Sequence, residues 1–144
     1  MEKFVFLDHT ADVKFRAFGR NVEQVFEHAA DAMFAVMQKG EVLGKHEFHE
    51  KISVEGKDLP ALLYNFLEEL IYLLDTKDFF LRKIPVKIKK IKSRGTPVYR
   101  LEAEALGGKA SEQETSIVVK AVTYNQMVIK QEKGVWTAVV VLDV

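Results

Sequence analysis

The chain has 144 residues, of which 48% are hydrophobic and 29% charged, a composition typical of one globular domain with its own core. Lysine plus arginine and aspartate plus glutamate each total 21, so the chain lacks the overall basic excess that most nucleic-acid-binding proteins carry. The absence of cysteine excludes disulfides, thiolate metal sites and a cysteine nucleophile. No apolar run reaches membrane-spanning length and the first residues do not form a signal peptide, so we expect a cytoplasmic protein with no membrane partner.

The first 40 residues predict two strands and a helix. Residues 3–7 and 13–18 are short and apolar, and the second segment alternates between apolar and polar side chains as a half-buried strand does. Asn21 stands three residues before Gln24, the arrangement of a helix N-cap with a partial capping box. Apolar residues then recur at helical spacing until Gly40, so we predict an amphipathic helix.

The middle of the chain predicts a third strand and a second helix. Residues 46–54 alternate as a strand and lead to Asp58, a helix N-cap followed by Pro60 in the first turn. A broad apolar stripe continues as far as Leu74, so most of this helix should be buried.

The C-terminal half of the chain predicts strands alone. They fall at residues 84–88, 99–105, 115–123, 126–131 and 135–142, and Gly107 and Gly108 are interpreted as a turn. The order β-β-α-β-α-β-β-β-β-β over residues 1–144 is a single α+β domain, with two amphipathic helices packed on a largely antiparallel sheet.

A lysine-rich segment is the feature most suggestive of nucleic acid. Its alternation mirrors that of the next strand, so we interpret it as a solvated strand whose lysines lie opposite Glu102 and Glu104. Exposed aromatic residues that would stack on bases are missing from the pattern. An RNA-binding or chaperone module acting through this strand remains the alternative. The segment contains Lys83, Lys87, Lys89, Lys90, Lys92 and Arg94.

Other polar residues are interpreted as surface residues. The histidines lack the i, i+4 spacing of a helical metal site, and no glycine-rich phosphate loop or nucleophile elbow is present. The acidic residues of the two helices fall on their polar faces, where they would serve solubility. These residues are His28, His46 and His49, with Glu27, Asp31, Glu68 and Glu69.

The two ends of the chain carry the remaining candidate site. Asp8, Thr10 and Asp12 have the oxygen spacing that begins an EF-hand, but Val13 and Gly19 occupy the positions where that loop needs glycine and glutamate. A turn stabilised by side-chain hydrogen bonds would explain Asp8 and Thr10 equally well.

The C-terminal end changes this interpretation. An apolar strand there ends with Asp143 and the free carboxylate of Val144. If Asp12 lies beside them, three carboxylates form an oxygen site suited to Ca²⁺ or Mg²⁺. An autonomous metal-dependent phosphohydrolase would use the same carboxylates.

Three segments together resemble the archease family. They are LDHTADVKFRAFG, LLYNFLEELIYLLDTKDF and VKAVTYNQMVIKQEKGVWTAVVVLDV, and the match extends from residue 7, where the first begins, to the last residue. The resemblance implies the archease fold and a protein without catalysis of its own. It implies an activator of the GTP-dependent tRNA-splicing ligase, which joins 3′-phosphate or cyclic-phosphate ends to 5′-hydroxyl ends. The activator would promote ligase guanylylation and multiple turnover, and would meet RNA only through the ligase.

The resemblance also implies the residues of the site. The metal ligands would be Asp12, Asp143 and Val144, holding calcium in the first instance, with magnesium or manganese as alternatives. Asp8, His9 and Lys120 would lie on the functional surface. The family usually has histidine where this chain has Asn125, and asparagine does not titrate near neutral pH, so we assign this position no proton transfer.

Overall fold

The computed structural model describes residues 1–7, 12–41 and 48–144. The α+β class is confirmed, and the order of helices and strands agrees with the predicted one, although some strands after the second helix fall at other residues than predicted. The elements are β1 (Phe4–Leu7), β2 (Val13–Gly19), α1 (Val22–Met37), β3 (Phe48–Gly56), α2 (Leu59–Lys77), β4 (Phe79–Lys83), β5 (Val86–Ser93), β6 (Thr96–Lys109), a 3-10 turn (Ala110–Glu112), β7 (Ala121–Glu132) and β8 (Val135–Asp143).

The strands form two antiparallel sheets. The first has the order β1-β2-β8-β7. In the second, the long strand β6 pairs with β3 along one edge and with β5 and β4 along the other. The N-terminal and C-terminal strands therefore belong to the same sheet, and the lysine-rich strand belongs to the other.

Both helices contact both sheets, and the core consists of the side chains buried between the helices and the sheets. α1 packs on β2 and β8 of the first sheet and on β4 and β5 of the second, while α2 packs on β7 and on β3, β4 and β6. Phe26, Met33, Phe66 and Leu70 are fully buried among these contacts. Among the described residues, neither helix is both long and apolar enough to cross a membrane.

Two strand assignments from the sequence are wrong. β4 was not predicted, because Phe79, Phe80 and Leu81 are all buried and so show no alternation. Residues 115–120 are not a strand, because Ser116 is tied to the end of α1 by hydrogen bonds to the carbonyl oxygens of Met37 and Val36. The segments 121–123 and 126–131 form one strand, β7.

The turn predicted at Gly107 and Gly108 is also wrong. Both residues lie within β6, where β4 passes very close to the backbone. A Cβ atom at Gly107 would lie 2.3 Å from the carbonyl oxygen of Phe80 and 2.7 Å from the ring of Phe79. Glycine is therefore required here by close packing of two strands.

Candidate functional site

The two ends of the chain meet at one edge of the first sheet. β8 lies between β2 and β7, with Val13 paired to Leu142 and Ala121 paired to Asp143. Asp12 directly precedes Val13, so it lies at the same end of the sheet as Asp143. Neighbouring strands are about 4.8 Å apart, which brings these two residues side by side.

Both aspartates belong to the outer face of this sheet. Phe15 and Leu142 are fully buried on the inner face, and side chains alternate between faces along a strand. Asp12 and Asp143 therefore lie on the face turned away from the helices. Asp12 is half-buried and Asp143 is exposed, while Val144 is half-buried and packs against the edge of the core.

Lys120 lies on the other side of Asp143. Its backbone N–H donates a hydrogen bond of 2.8 Å to the carbonyl oxygen of Asp143, and the residue is exposed. Lys120 therefore directly precedes the strand residue Ala121 that pairs with Asp143. Of the residues assigned to the functional surface, Asp8 and His9 lie outside the described residues.

The side chains at this edge carry carboxylate oxygens, the type of ligand that suits a hard cation. Carboxylate oxygens are the ligands that Ca²⁺ and Mg²⁺ prefer. Within residues 1–7, 12–41 and 48–144, no three His, Cys, Asp or Glu side chains form a metal-holding group. Asp12 and Asp143 are the aspartates that the strand register places together here.

Glu68 is a residue of this region whose role the sequence did not reveal. Its side-chain oxygen Oε2 accepts a 2.7 Å hydrogen bond from the N–H of Val122, so α2 holds the beginning of β7 beside Asp143. The interpretation of Glu68 as a solvating residue is wrong. One feature of the sequence indicated this role: Glu68 lies three residues before the buried Ile71, at the border of the apolar stripe.

Strand β7 is interrupted just beyond the site. Its pairing with β8 shifts between Thr123 and Val128, and Gln126 adopts a left-handed backbone with φ of 65°. The interruption leaves Tyr124 and Asn125 exposed. The ring of Tyr124 packs on that of Tyr64, with 5.4 Å between the ring centres. Asn125 is thus part of a surface bulge close to the carboxylate edge.

A separate cleft of about 770 Å³ lies between β1, α1 and the β4–β5 connection. Here Nδ1 of His28 donates a 2.6 Å hydrogen bond to the carbonyl oxygen of Phe18, and Glu27 accepts one of 2.8 Å from the N–H of Val86. Both side chains are partly buried, so their interpretation as surface residues is wrong. His49 is exposed as expected, while His46 lies outside the described residues.

Asp31 lines the same cleft. Burial raises the pKa of its carboxyl, while the nearby charges of Lys3 and His28 lower it. The ammonium of Lys3 is 3.8 Å from the carboxylate. On the first sheet this cleft meets the end of β1 at Phe4, which pairs with Ala17, five residues along the chain from Asp12.

Comparison with known proteins gives a consistent result over the full chain. The model of the Archease protein family (MTH1598/TM1083) matches residues 4–144. Protein archease of Pyrococcus abyssi is 39% identical over 147 residues, covering 100% of both chains. Protein archease of Methanosarcina barkeri is 37% identical, covering 99% of this chain and 97% of its own.

Solved structures agree with the fold. The solution structure of protein 1598 from Methanobacterium thermoautotrophicum matches with a TM-score of 0.80, 34% identity and 100% coverage of both chains. A crystal structure from Thermotoga maritima, described as an archease and possible chaperone, matches with a TM-score of 0.63 and 16% identity, covering 96% and 94% of the two chains. The family model and the full-length relatives establish that the chain belongs to the archease family.

Proposed function

We propose that this chain is a non-catalytic, cytoplasmic activator of the GTP-dependent tRNA-splicing ligase. It would accelerate guanylylation of the ligase and permit multiple turnover in the joining of 3′-phosphate or cyclic-phosphate ends to 5′-hydroxyl ends. Membership of the archease family supports this proposal. The observation that carries it is the arrangement of Asp12 and Asp143 on neighbouring strand ends, with Lys120 directly before the third strand, β7.

In this proposal, Asp12, Asp143 and the carboxylate of Val144 hold a divalent cation, calcium first and magnesium or manganese as alternatives. These carboxylates would supply the oxygen ligands that such a cation prefers. A bound divalent cation supplies Lewis-acid stabilisation of phosphate charge. Lys120 adds a positive charge beside the carboxylates, suited to orienting the phosphates of a nucleotide in the partner's pocket.

The test is guanylylation of the ligase by labelled GTP, at limiting ligase and without RNA. We expect Asp12→Asn and Asp143→Asn to lower the stimulated rate at least tenfold, towards the rate of the ligase alone. Both variants should melt at the temperature of the wild type, since Asp143 is exposed and Asp12 only half-buried. The matched control is Asp75→Asn, an exposed aspartate at the end of α2, which should stimulate normally.

Full stimulation by either edge variant would refute the proposed site. Release of phosphate from a phosphoester by the protein alone, lost in the same variants, would instead favour an autonomous metal-dependent phosphohydrolase.

A further inference from the structure

We propose that the β5–β6 hairpin and the cleft near its tip form a binding surface for single-stranded RNA. This surface belongs to the second sheet, whereas the carboxylate edge belongs to the first. The inference goes beyond the proposed function, in which RNA is met only through the ligase. It does not depend on the metal site.

The hairpin concentrates positive charge in a chain whose formal net charge is zero. Between residues 83 and 94 there are six cationic side chains and no acidic one, and all six are exposed. Lys83 ends β4, and the other five, Lys87, Lys89, Lys90, Lys92 and Arg94, lie on β5 and in the turn that follows it. Because side chains alternate along a strand, Lys87 and Lys89 lie on one face of the hairpin and Lys90 and Lys92 on the other. Such a local concentration of positive charge attracts a polyanion even where the whole chain is neutral.

The strand register leaves most of this charge unneutralised. The expectation that glutamates oppose the lysines is right for Lys87, which lies opposite Glu102. Glu104 lies opposite Lys51 on the other neighbouring strand, and its Oε1 is 2.8 Å from Nδ1 of His49.

The next three lysines face other groups across the hairpin. Lys89 lies opposite Arg100, Lys90 opposite Tyr99 and Lys92 opposite Pro97, while Arg100 is itself paired with Glu55 at 2.6 Å. In the described part of the chain, no carboxylate lies within ion-pair distance of Lys89, Lys90, Lys92 or Arg94.

A cleft of about 330 Å³ lies near the tip of the hairpin and provides surfaces for both parts of a nucleotide. It is lined by Lys57, Lys90, Pro97, Val98 and Tyr99. The ammonium of Lys90 is 5.4 Å from the centre of the Tyr99 ring. The ring and the two apolar residues suit the face of a base, and the two ammonium groups suit the adjacent phosphates.

The chemistry of the hairpin favours RNA over a membrane surface. Its tip is the two-residue turn Arg94-Gly95 between Ser93 and Thr96, both turn residues having positive φ, and it offers no apolar side chain for insertion into lipid. Bases are accessible for stacking in single strands rather than in duplexes, so the cleft fits a single strand.

The hairpin surface is continuous with the edge that carries Asp143. A second cleft, of about 650 Å³, shares Lys57 and Val98 with the first and is also lined by Tyr124. Tyr124 follows Ala121, the partner of Asp143, by three residues, or about 10 Å along the strand. Because Glu55 and Asp58 line this second cleft, we place the phosphates in the first one, beside Lys57 and Lys90.

The test measures the fluorescence anisotropy of a labelled 20-nucleotide oligouridine across a series of KCl concentrations from 25 to 200 mM. The variant Lys89→Gln/Lys90→Gln/Lys92→Gln should bind at least tenfold more weakly at 50 mM KCl. The slope of log affinity against log salt should become shallower by about 2, since three phosphate contacts are lost and each contributes about 0.7 on a single strand.

The matched control removes three positive charges elsewhere. Lys51 lies opposite Glu104, Lys130 is paired with Glu132, and Lys133 lies in the β7–β8 turn. Lys51→Gln/Lys130→Gln/Lys133→Gln should bind within about threefold of the wild type. Tyr99→Leu, which keeps an apolar side chain against the core, should weaken binding about tenfold and leave the salt slope unchanged. Circular dichroism melting verifies that each variant is folded.

Three results would overturn the inference. These are failure of the wild type to bind at 25 mM KCl, equal losses in the two triple variants, and equally tight lysine-dependent binding to phosphatidylserine vesicles. The inference is separable from the proposed function, because Asp12→Asn should retain RNA affinity and the hairpin variant should retain stimulation of guanylylation without RNA.

Discussion

At the scale of single residues, Asp31 shows how opposing influences act on one carboxylate. Burial raises its pKa above the ordinary value of 3.8, and the charges of Lys3 and His28 work against that rise. Glu27, Arg82 and Lys83 line the same cleft. The native state therefore holds the proton of Asp31 more tightly than the unfolded chain does.

A pH dependence follows from this direction. As pH rises from 3.8 through the raised pKa, Asp31 loses its proton more readily in the unfolded chain, so its contribution lowers the free energy of unfolding. Asp31→Asn lacks that slope, so its stability relative to the wild type should increase over this window and then level off. We expect this difference in the free energy of unfolding to be under about 1 kcal/mol, because the partly exposed ion pair is screened by solvent. Urea unfolding between pH 3.5 and 7.5 measures the difference.

The exposed variant Asp75→Asn should show no comparable change. If the wild type gained stability relative to Asp31→Asn as the pH rises, attraction by Lys3 and His28 would outweigh burial, and the stated direction would be wrong.

At the scale of elements, two junctions between a strand and a helix are built alike. Gly19 ends β2 two residues before the cap Asn21, and Gly56 ends β3 two residues before the cap Asp58. A Cβ at either glycine would lie 2.4 Å from the backbone nitrogen of the helix residue six positions on. Each cap accepts a 2.8 Å hydrogen bond from the N–H three residues later. Glycine thus lets each helix begin directly against its strand.

Helix α2 and strand β7 are joined by Glu68, and this joint can be tested. Glu68→Ala should lower the free energy of unfolding by about 2 kcal/mol, because it leaves the N–H of Val122 without its acceptor in a partly buried position. Glu69→Ala, the neighbouring substitution, should change it by less than about 0.5 kcal/mol. Chemical denaturation measures both, and hydrogen exchange at Val122 should accelerate only in the Glu68 variant. Equal effects of the two substitutions would contradict this role for Glu68.

At the scale of the whole molecule, the distinguishing property is that the second strand and the last strand, β2 and β8, are neighbours. β2 and β8 pair along their full common length, from Val13 with Leu142 to Gly19 with Trp136. The chain therefore places residue 12 and its own C-terminus at one sheet edge. The second sheet, with its lysine-rich hairpin, shares the same two helices.

A short extension of the chain tests whether the C-terminus takes part in the proposed metal site. A Gly-Ser-Gly extension after Val144 converts the carboxylate to a peptide group and should weaken calcium binding at least tenfold, since carboxylates are strong calcium ligands. The same extension before Met1 should leave the affinity within about threefold of the unmodified chain. Isothermal titration calorimetry with calcium measures both. Unchanged affinity after C-terminal extension would remove Val144 from the proposed ligands.

The sequence by itself determined the local features of this protein. The caps at Asn21 and Asp58, the amphipathic faces of both helices and the β5–β6 hairpin depend on interactions between residues close in the chain, so periodicity and spacing predicted them. β4 was missed because a fully buried strand has no alternation to detect. The roles of Glu27 and Glu68 were missed because their partners, Val86 and Val122, lie far along the chain.

The tertiary structure alone decided how these features are combined. The division into two sheets, the close approach that requires Gly107 and the charge left unopposed on the hairpin all depend on which strands pair, and pairing is set by the packing of distant segments. The sequence indicated that Asp12 and Asp143 would form a site if the chain ends met. Whether they meet depends on β8 entering between β2 and β7, because only a shared sheet brings residues so distant in sequence within a few ångströms of each other.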